Sequence, residues 1–325
     1  MDGAIVVREH GGPEVLEWTS EHPGEVGPGD VLVRQTAVGL NYIDVYHRTG
    51  LYPTEPPFVP GVEAAGIVEA VGDAVVDLFP GDRVAYTGNG PVGSYRESRV
   101  LPRTRLVQLP DGIDDRTAAA IMLKGCTVEY LVRRCYPVQE GDHVLLHAAA
   151  GGVGLIASQW LKGLGAIVIG TVGSRAKAEL AEANGCAHTI LYREEDVTER
   201  VRALTDGHGV DVVYDSVGKD TFMASLDCLR PRGMMVSFGN ASGPVDPIPP
   251  LLLSQKGSLM LTRPRLGHYY STPRETTEGC MALFEAVRTG IVRPHIGAEY
   301  PLRDVADAHR ALEARSTVGS TVLTV

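Results

Sequence analysis

The strongest constraint on this chain is an alternation that runs from residue 143 to residue 262. Short apolar runs fall at 143–148, 166–171, 189–191, 210–215, 233–238 and 258–262, and helical patterns separate them at 153–164, 174–184, 195–204, 221–229 and, more faintly, 250–254. Strands that run parallel need a long crossover between them, and a helix is the usual one. Right-handed crossovers then specify an α/β fold with a doubly wound, six-stranded parallel sheet of the Rossmann type and helices on both faces.

The first turn of this region carries the next signal. Ala148-Ala149-Ala150-Gly151-Gly152-Val153-Gly154 follows the apolar Val144-Leu145-Leu146 and opens a helix. Ala149, Gly151 and Gly154 take the three positions of the G-x-G-x-x-G pattern, with alanine at the first. Small residues there let the backbone approach a pyrophosphate, and the helix N-terminus offers unpaired N–H groups and partial positive charge. The plainer alternative is an ordinary glycine-rich turn.

NAD-binding folds place an acid at the end of the second strand, about 20 residues past the glycine turn, to hold the ribose 2′-hydroxyl. Here Gly173-Ser174-Arg175-Ala176-Lys177 follows that strand, and no acid appears before Glu179. A hydroxyl at a helix N-cap and two cations suit a 2′-phosphate, so the segment points to NADPH. Arg175 and Lys177 also fit as solvated residues of a helix surface.

The first hundred residues read differently. Apolar alternations at 4–7, 31–38, 65–71 and 83–86 are separated by turn clusters such as Gly11-Gly12-Pro13 and Pro80-Gly81-Asp82, which suggests a small barrel or sandwich. A short helix is expected at 41–48. Asp114 or Asp115 caps a helical run through Met122, and a second run follows at 127–135. After residue 265 come helices at 275–288 and 302–314 and a strand at 320–325. This tail is too short for a third domain and is expected to pack back on the first. At 325 residues the chain fits two domains.

Thirty basic against forty acidic residues give a formal net charge of −10, which argues against nucleic acid as a partner. The N-terminus has no signal-peptide pattern, and the apolar stretch 148–173 is too interrupted by glycine to cross a membrane. Five cysteines, an odd number without a C-x-x-C pair, read as free thiols of a cytoplasmic protein. No cysteine precedes residue 126, and His143 and His147 lie on one strand as an edge and a core residue, so no metal site is expected. Without a Lewis acid, the fitting hydride acceptors are quinones and conjugated enones.

Several strings spread over the whole chain resemble the zeta-crystallin-type quinone oxidoreductases, the zinc-free branch of the medium-chain dehydrogenase/reductase superfamily. They are His147 to Gly154, Gly39-Leu40-Asn41-Tyr42-Ile43-Asp44, Arg48-Thr49-Gly50-Leu51-Tyr52-Pro53, Met122-Leu123-Lys124-Gly125, Tyr214-Asp215-Ser216-Val217-Gly218, Val236 to Gly243, and Leu261-Thr262-Arg263-Pro264. The resemblance implies a β-rich, chaperonin-10-like catalytic domain at 1–125 and 265–325. The NADPH-binding Rossmann domain, 126–264, is inserted into it, and the active cleft lies between the two. Zinc-binding relatives carry ligands where this chain has Asn41 and Val62.

By the same resemblance Gly173, Ser174, Lys177 and Tyr192 hold the 2′-phosphate end, and Ala149, Gly152 and Val153 line the pyrophosphate and nicotinamide path with Gly151 and Gly154. Asn41, Lys124, Thr127, Ser216, Phe238, Asn240, Ser242, Arg263 and Arg315 are further cofactor contacts. Asn41, Tyr46 and Tyr52 are the catalytic candidates, the tyrosines facing the substrate. Tyr46 also fits as a buried aromatic, Tyr52 as a loop residue and Arg315 as surface charge. A homodimer is implied.

The expected activity is NADPH-dependent, metal-free reduction of a small-molecule quinone. A reductase of enones or alkenals would use the same cofactor with a tyrosine as proton donor. An NADPH-binding protein without enzymatic role is the third reading. Tyr42, where phenylalanine is common, and nearby His47 and Arg48 bear on substrate preference.

Overall fold

The computed structural model describes residues 2–88 and 90–325. The chain divides into two compact units: one holds the chain up to Cys126 with 269–288 and 294–325, the other holds 127–268 and 289–293.

In the first unit β1 (Asp2–Val6) pairs antiparallel with β2 (Glu17–Glu21). Then follow β3 (Asp30–Leu40), α1 (Tyr42–Arg48), β4 (Ala64–Val71), β5 (Arg83–Tyr86), β6 (Ser98–Pro102), β7 (Val107–Gln108) and α2 (Asp115–Tyr130). β3 is the spine of this unit. Its first half alternates, with Val31 and Val33 buried and Leu32 and Arg34 turned outward, and it pairs with both β4 and β6. Its last four residues are all buried, and they deliver the chain into Asn41.

One helical expectation changes. The runs expected on either side of Gly125 are one helix, α2, which continues into a π-helical turn over Leu131–Cys135. A glycine inside a helix normally weakens it. Here a Cβ at 125 would run into the Leu283 side chain, so this glycine marks a close packing contact and not a break. Asp114 caps the start, accepting from the Thr117 N–H at 2.6 Å.

In the second unit β8 (His143–Leu146), α3 (Gly152–Gly163), β9 (Ile167–Val172), α4 (Arg175–Ala183), β10 (His188–Leu191), α5 (Val197–Leu204), β11 (Val210–Asp215), α6 (Phe222–Cys228), β12 (Leu229–Ser237), α7 (Leu251–Gln255) and β13 (Met260–Thr262) alternate as expected. The strand order is β10-β9-β8-β11-β12-β13 and every pairing is parallel. The order reverses between β8 and β11, which is where a doubly wound sheet leaves a crevice at its carboxyl edge. Leu145, Ile169, Ile190, Val213 and Met235 project from five of the strands into one core.

The tail adds α8 (Leu266–Tyr269), α9 (Pro273–Arg288), β14 (Ile296–Pro301), α10 (Val305–Glu313) and β15 (Ser320–Thr324). β15 lies antiparallel on β3, Thr321 facing Leu40 and Thr324 facing Ala37, so the end of the chain does pack back on the first unit. The main sheet there has seven strands, in the order β14-β15-β3-β4-β5-β7 with β6 beside β3. β2, β6, β7 and β14 went unread in the sequence: β2 is largely polar, β7 has two residues, and β14 has no buried residue to give an apolar run.

Candidate functional site

Apart from Thr127, in α2, the residues expected to hold the cofactor in the second unit follow the carboxyl ends of its six strands or start the next helix. After β8, Ala148 adopts φ +54° and Gly151 N-caps α3 without help from a side chain. The first N–H groups of a twelve-residue helix are thereby left to face outward. Gly154 sits under this turn: a Cβ there would strike the Ala148 carbonyl and lie 2.6 Å from the Ala149 carbonyl carbon. A residue larger than glycine at 154 would push the turn away from whatever it cradles.

After β9 the arrangement suits a phosphate monoester. Ser174 caps α4, its hydroxyl accepting from the Lys177 N–H at 3.4 Å, and Arg175 is exposed beside it. Tyr192, just past β10, is 39 % exposed, and its hydroxyl lies over Gly173. No carboxylate stands between Gly173 and Lys177. This donor set fits NADPH: glycine backbone and a bare helix end for the pyrophosphate, hydroxyls and cations for a 2′-phosphate.

Ser216 follows β11, and Phe238, Asn240 and Ser242 follow β12. The Ser242 hydroxyl donates to the Val217 carbonyl at 2.9 Å and ties the two loops together. With its amide set to satisfy both neighbours, Asn240 accepts from Arg263 at 3.3 Å, just past β13. Behind this edge His147 is fully enclosed, with Nδ1 2.9 Å from the Thr171 hydroxyl and Nε2 2.9 Å from that of Ser225. Burial lowers its pKa against the pull of Asp215, so it is a neutral core residue, as the sequence suggested.

The first unit holds a second cluster. Glu63 is completely buried and receives donors from three directions: the Asn41 side-chain amide at 2.7 Å, Lys124 Nζ at 3.1 Å and the Leu123 N–H at 2.5 Å. Lys124 also donates to the Leu40 carbonyl at 3.1 Å. Lys124 was expected as a cofactor contact; a buried lysine needs a partner, and Glu63, which the sequence did not single out, is that partner. The Asn41 amide nitrogen points at Glu63 and, at 3.4 Å, at the Gly39 carbonyl. Both its N–H groups are thus turned inward.

Beyond Asn41, α1 carries a ladder of rings. Tyr42 and Tyr46 have centroids 5.7 Å apart, Tyr46 and Tyr52 5.0 Å, and His47 meets Tyr52 edge-on at 5.9 Å. The Tyr52 N–H donates to the Tyr46 carbonyl at 3.0 Å, which fixes the loop to the helix. Burial pushes the Tyr42 hydroxyl above its usual pKa and lowers His47 to about 4, so both are neutral near pH 7. Arg315 follows α10 in the left-handed region, φ +56°, close enough to Tyr42 for its charge to act on that hydroxyl. Thr127 is half-buried in α2.

Buried side chains surround α1: Asp44, Tyr95 and His309 were not singled out in the sequence, and Arg48, expected to bear on substrate preference, is instead enclosed against His309, Glu313 and the Gly11 carbonyl. Asp44, Arg48, Tyr95 and His309 are each 0–1 % exposed. The signal available for two of them was charge on the inner face of the short helix Tyr-Ile-Asp-Val-Tyr-His-Arg. Tyr95 and His309 carried no local signal.

Two family models match the chain: the alcohol dehydrogenase GroES-like domain over residues 27–111 and zinc-binding dehydrogenase over residues 152–286. The zinc that the second description implies does not fit here. Val62 is a buried hydrocarbon at one ligand position, Asn41 occupies the other, and Glu63 is already engaged by Lys124, Asn41 and Leu123. Among the described residues no three His, Cys, Asp or Glu side chains converge.

The chain is 53 % identical to a quinone oxidoreductase of Pseudomonas aeruginosa over 99 % of both proteins. It is 47 % identical to a 2-haloacrylate reductase of Burkholderia over 98 % of both. The crystal structure of Escherichia coli quinone oxidoreductase complexed with NADPH superposes with a TM-score of 0.97 at 45 % identity, covering 99 % of this chain and all of that one. Full-length agreement at this level, in a chain whose glycine turn and α1 carry the family's strings, shows that it belongs to the quinone oxidoreductase family of the medium-chain dehydrogenase/reductase superfamily.

Proposed function

We propose that this protein reduces quinones with NADPH and without a metal. The observation that carries the reading is the carboxyl edge of the parallel sheet: a glycine cradle at Gly151–Gly154 followed, one strand over, by Ser174, Arg175 and Lys177 with no acid among them. Bound NADPH would supply a hydride.

The chain's own residues bind and orient. Ala149, Gly151, Gly152, Val153 and Gly154 take the pyrophosphate. Gly173, Ser174, Lys177 and Tyr192 take the 2′-phosphate. Ser216, Phe238, Asn240, Ser242 and Arg263, at the ends of β11, β12 and β13, hold the remainder, with Lys124, Thr127 and Arg315 as further contacts. Asn41, whose N–H groups serve Glu63 and Gly39, stands as a further cofactor contact and as a catalytic candidate beside the tyrosines. Tyr46 and Tyr52 are the hydroxyls placed to steady negative charge on a quinone oxygen, and the ring ladder keeps water away. We assign residues 1–125 and 265–325 to the catalytic domain and 126–264 to the cofactor domain.

The Burkholderia relative's name supports a second reading, reduction of a conjugated carbon–carbon bond, for which a tyrosine would protonate carbon. One assay separates the two. Loss of the reduced-nicotinamide absorbance is followed with 1,4-benzoquinone or 1,2-naphthoquinone, and in parallel with an enone, with NADH and with a chelator. Fast quinone-dependent loss of NADPH, weak use of NADH and indifference to chelator support the first reading. Turnover with the enone alone replaces it by the second.

We further propose a homodimer. β13 pairs on one side only, with β12, and its Met260 and Leu261 are 48 % and 38 % exposed. Sedimentation at the dimer mass supports this, and an unchanged mass in Leu261→Glu removes the strand as the interface. Five free thiols suit the cytoplasm.

A further inference from the structure

We propose that Arg48, His309, Tyr95 and Asp44 form one directed hydrogen-bond chain that positions α1, and through it Asn41 and the tyrosine ladder, for the reaction. The inference rests on the functional reading above and deepens it.

The links are short. Arg48 Nη1 lies 3.0 Å from His309 Nδ1, His309 Nε2 lies 3.1 Å from the Tyr95 hydroxyl, and that hydroxyl lies 2.8 Å from Asp44 Oδ2. The direction of every bond follows from the first. A guanidinium has donors only, so Nδ1 accepts. A neutral imidazole then carries its proton on Nε2 and donates to Tyr95. With its oxygen occupied as an acceptor, Tyr95 turns its own proton toward Asp44. Burial and the Arg48 charge push His309 down to about 3, which agrees with a neutral ring.

Asp44 is therefore the terminal acceptor. Its Oδ2 takes both the Tyr95 hydroxyl and, at 2.9 Å, the Asn41 N–H, the first amide of the turn that starts α1. Its Oδ1 has no hydrogen-bond partner among the described residues. Any proton that Asp44 binds sits on that oxygen. Burial raises its pKa to about 7, with Glu63 raising it further and Tyr95, Asn41 and Lys124 of α2 opposing. Arg48 on the same helix and His309 and Glu313 of α10 complete the charged or titratable neighbours, Arg48 pairing with Glu313 at 2.6 Å.

The chain joins three separate stretches of sequence. Asp44 and Arg48 belong to α1, Tyr95 precedes β6, and His309 belongs to α10. Arg48 Nε also grips the Gly11 carbonyl at 3.1 Å. α1 has only seven residues and would not hold its shape alone. Burying four polar side chains to hold it is costly unless each is satisfied, and hydrocarbon would stabilise at least as well. What the polar chain adds is a single geometry. Asn41 Nδ2 at Glu63 and Asn41 N at Asp44 are both set by it. Asp44, Tyr95 and His309 are positioning residues.

The test uses the full-length protein and conservative variants. Tyr95→Phe cuts the chain with the loss of one oxygen. His309→Leu removes both nitrogens, whereas His309→Gln restores an acceptor for Arg48 and a donor for Tyr95. The expected result is a fall of about tenfold or more in kcat with quinone for Tyr95→Phe and His309→Leu. NADPH affinity, read by fluorescence without quinone, falls by less than kcat does, since Asn41 is one cofactor contact among many, and His309→Gln recovers most of kcat.

A His309→Leu protein that melts normally and turns over like the unaltered one overturns the proposal. So does a folded His309→Gln as slow as His309→Leu. If the unaltered protein turns over no quinone, the functional reading falls, and the chain is judged by carbon-13 NMR of Asp44. Titration near 7 that moves upward in Tyr95→Phe supports the chain, because the lost hydrogen bond was lowering that value. Titration in the ordinary carboxylate range in both proteins overturns it.

Discussion

The two candidate regions are made of different material. Along the carboxyl edge of the parallel sheet the working groups are mostly backbone: a helix end, a left-handed Ala148 and a glycine that nothing larger replaces. Around α1 they are side chains whose partners lie far away in sequence, such as Lys124 with Glu63 and Tyr95 with His309. A backbone site fails when volume is added. A side-chain site tolerates volume better and fails when a buried partner is removed. Each prediction below strikes one region and leaves the other as its control.

The largest effect is expected at Lys124. Lys124→Ala leaves Glu63 completely buried without its cation, and breaking a buried pair in this way costs about 3–5 kcal/mol. Denaturant titration measures the loss, and Lys124→Ala/Glu63→Gln together should recover part of it. A loss under about 1 kcal/mol would show that the hydrogen bonds from Asn41 and Leu123 suffice for Glu63.

Gly154→Val should weaken NADPH about a hundredfold, near 2.7 kcal/mol, while the α1 network keeps its pH behaviour. Nicotinamide fluorescence reads the affinity. Binding within threefold of the unaltered protein would mean that the turn yields and that the cradle is not rigid. Lys177→Ala is milder: preference for NADPH over NADH should shrink by about tenfold, the worth of one charge-assisted contact. An unchanged ratio would leave Lys177 as a surface cation and put the 2′-phosphate elsewhere.

The smallest and most selective effect is on pH. His309, held down to about 3 when folded, gives stability that is complete above 6.5 and is lost as pH falls toward 3. Asp44, raised to about 7, acts in the opposite sense: the folded form keeps a proton the unfolded one releases near 3.8, so its contribution is lost as pH rises from about 4 to 7. The two slopes oppose each other. Relative to the unaltered protein, the melting temperature of His309→Gln should fall between pH 4 and 7, and that of Asp44→Asn should rise over the same range. Parallel curves for all three would break the account of the buried network.

The same contrast explains what was legible beforehand. Six parallel strands, the glycine turn and the absence of an acid after β9 depend on local rules, and they were read within a residue or two at most boundaries. Two misreadings came from tertiary context. Gly125 looked like a break and is a contact with Leu283. β2 is too polar to announce itself, and β14 buries none of its residues.

The sequence alone determined the parallel sheet and the glycine turn that opens its first helix, because each is fixed by residue type and spacing within about thirty positions; Asn41 and Val62 were read as positions without zinc ligands only through the family resemblance. Only the tertiary structure decided which buried charges meet. Glu63 finds Lys124 across 61 residues and Tyr95 finds His309 across 214. Such pairings follow from how β15 returns onto β3 and where α10 is thereby set, and no local pattern encodes the partner of a charge that lies so far along the chain.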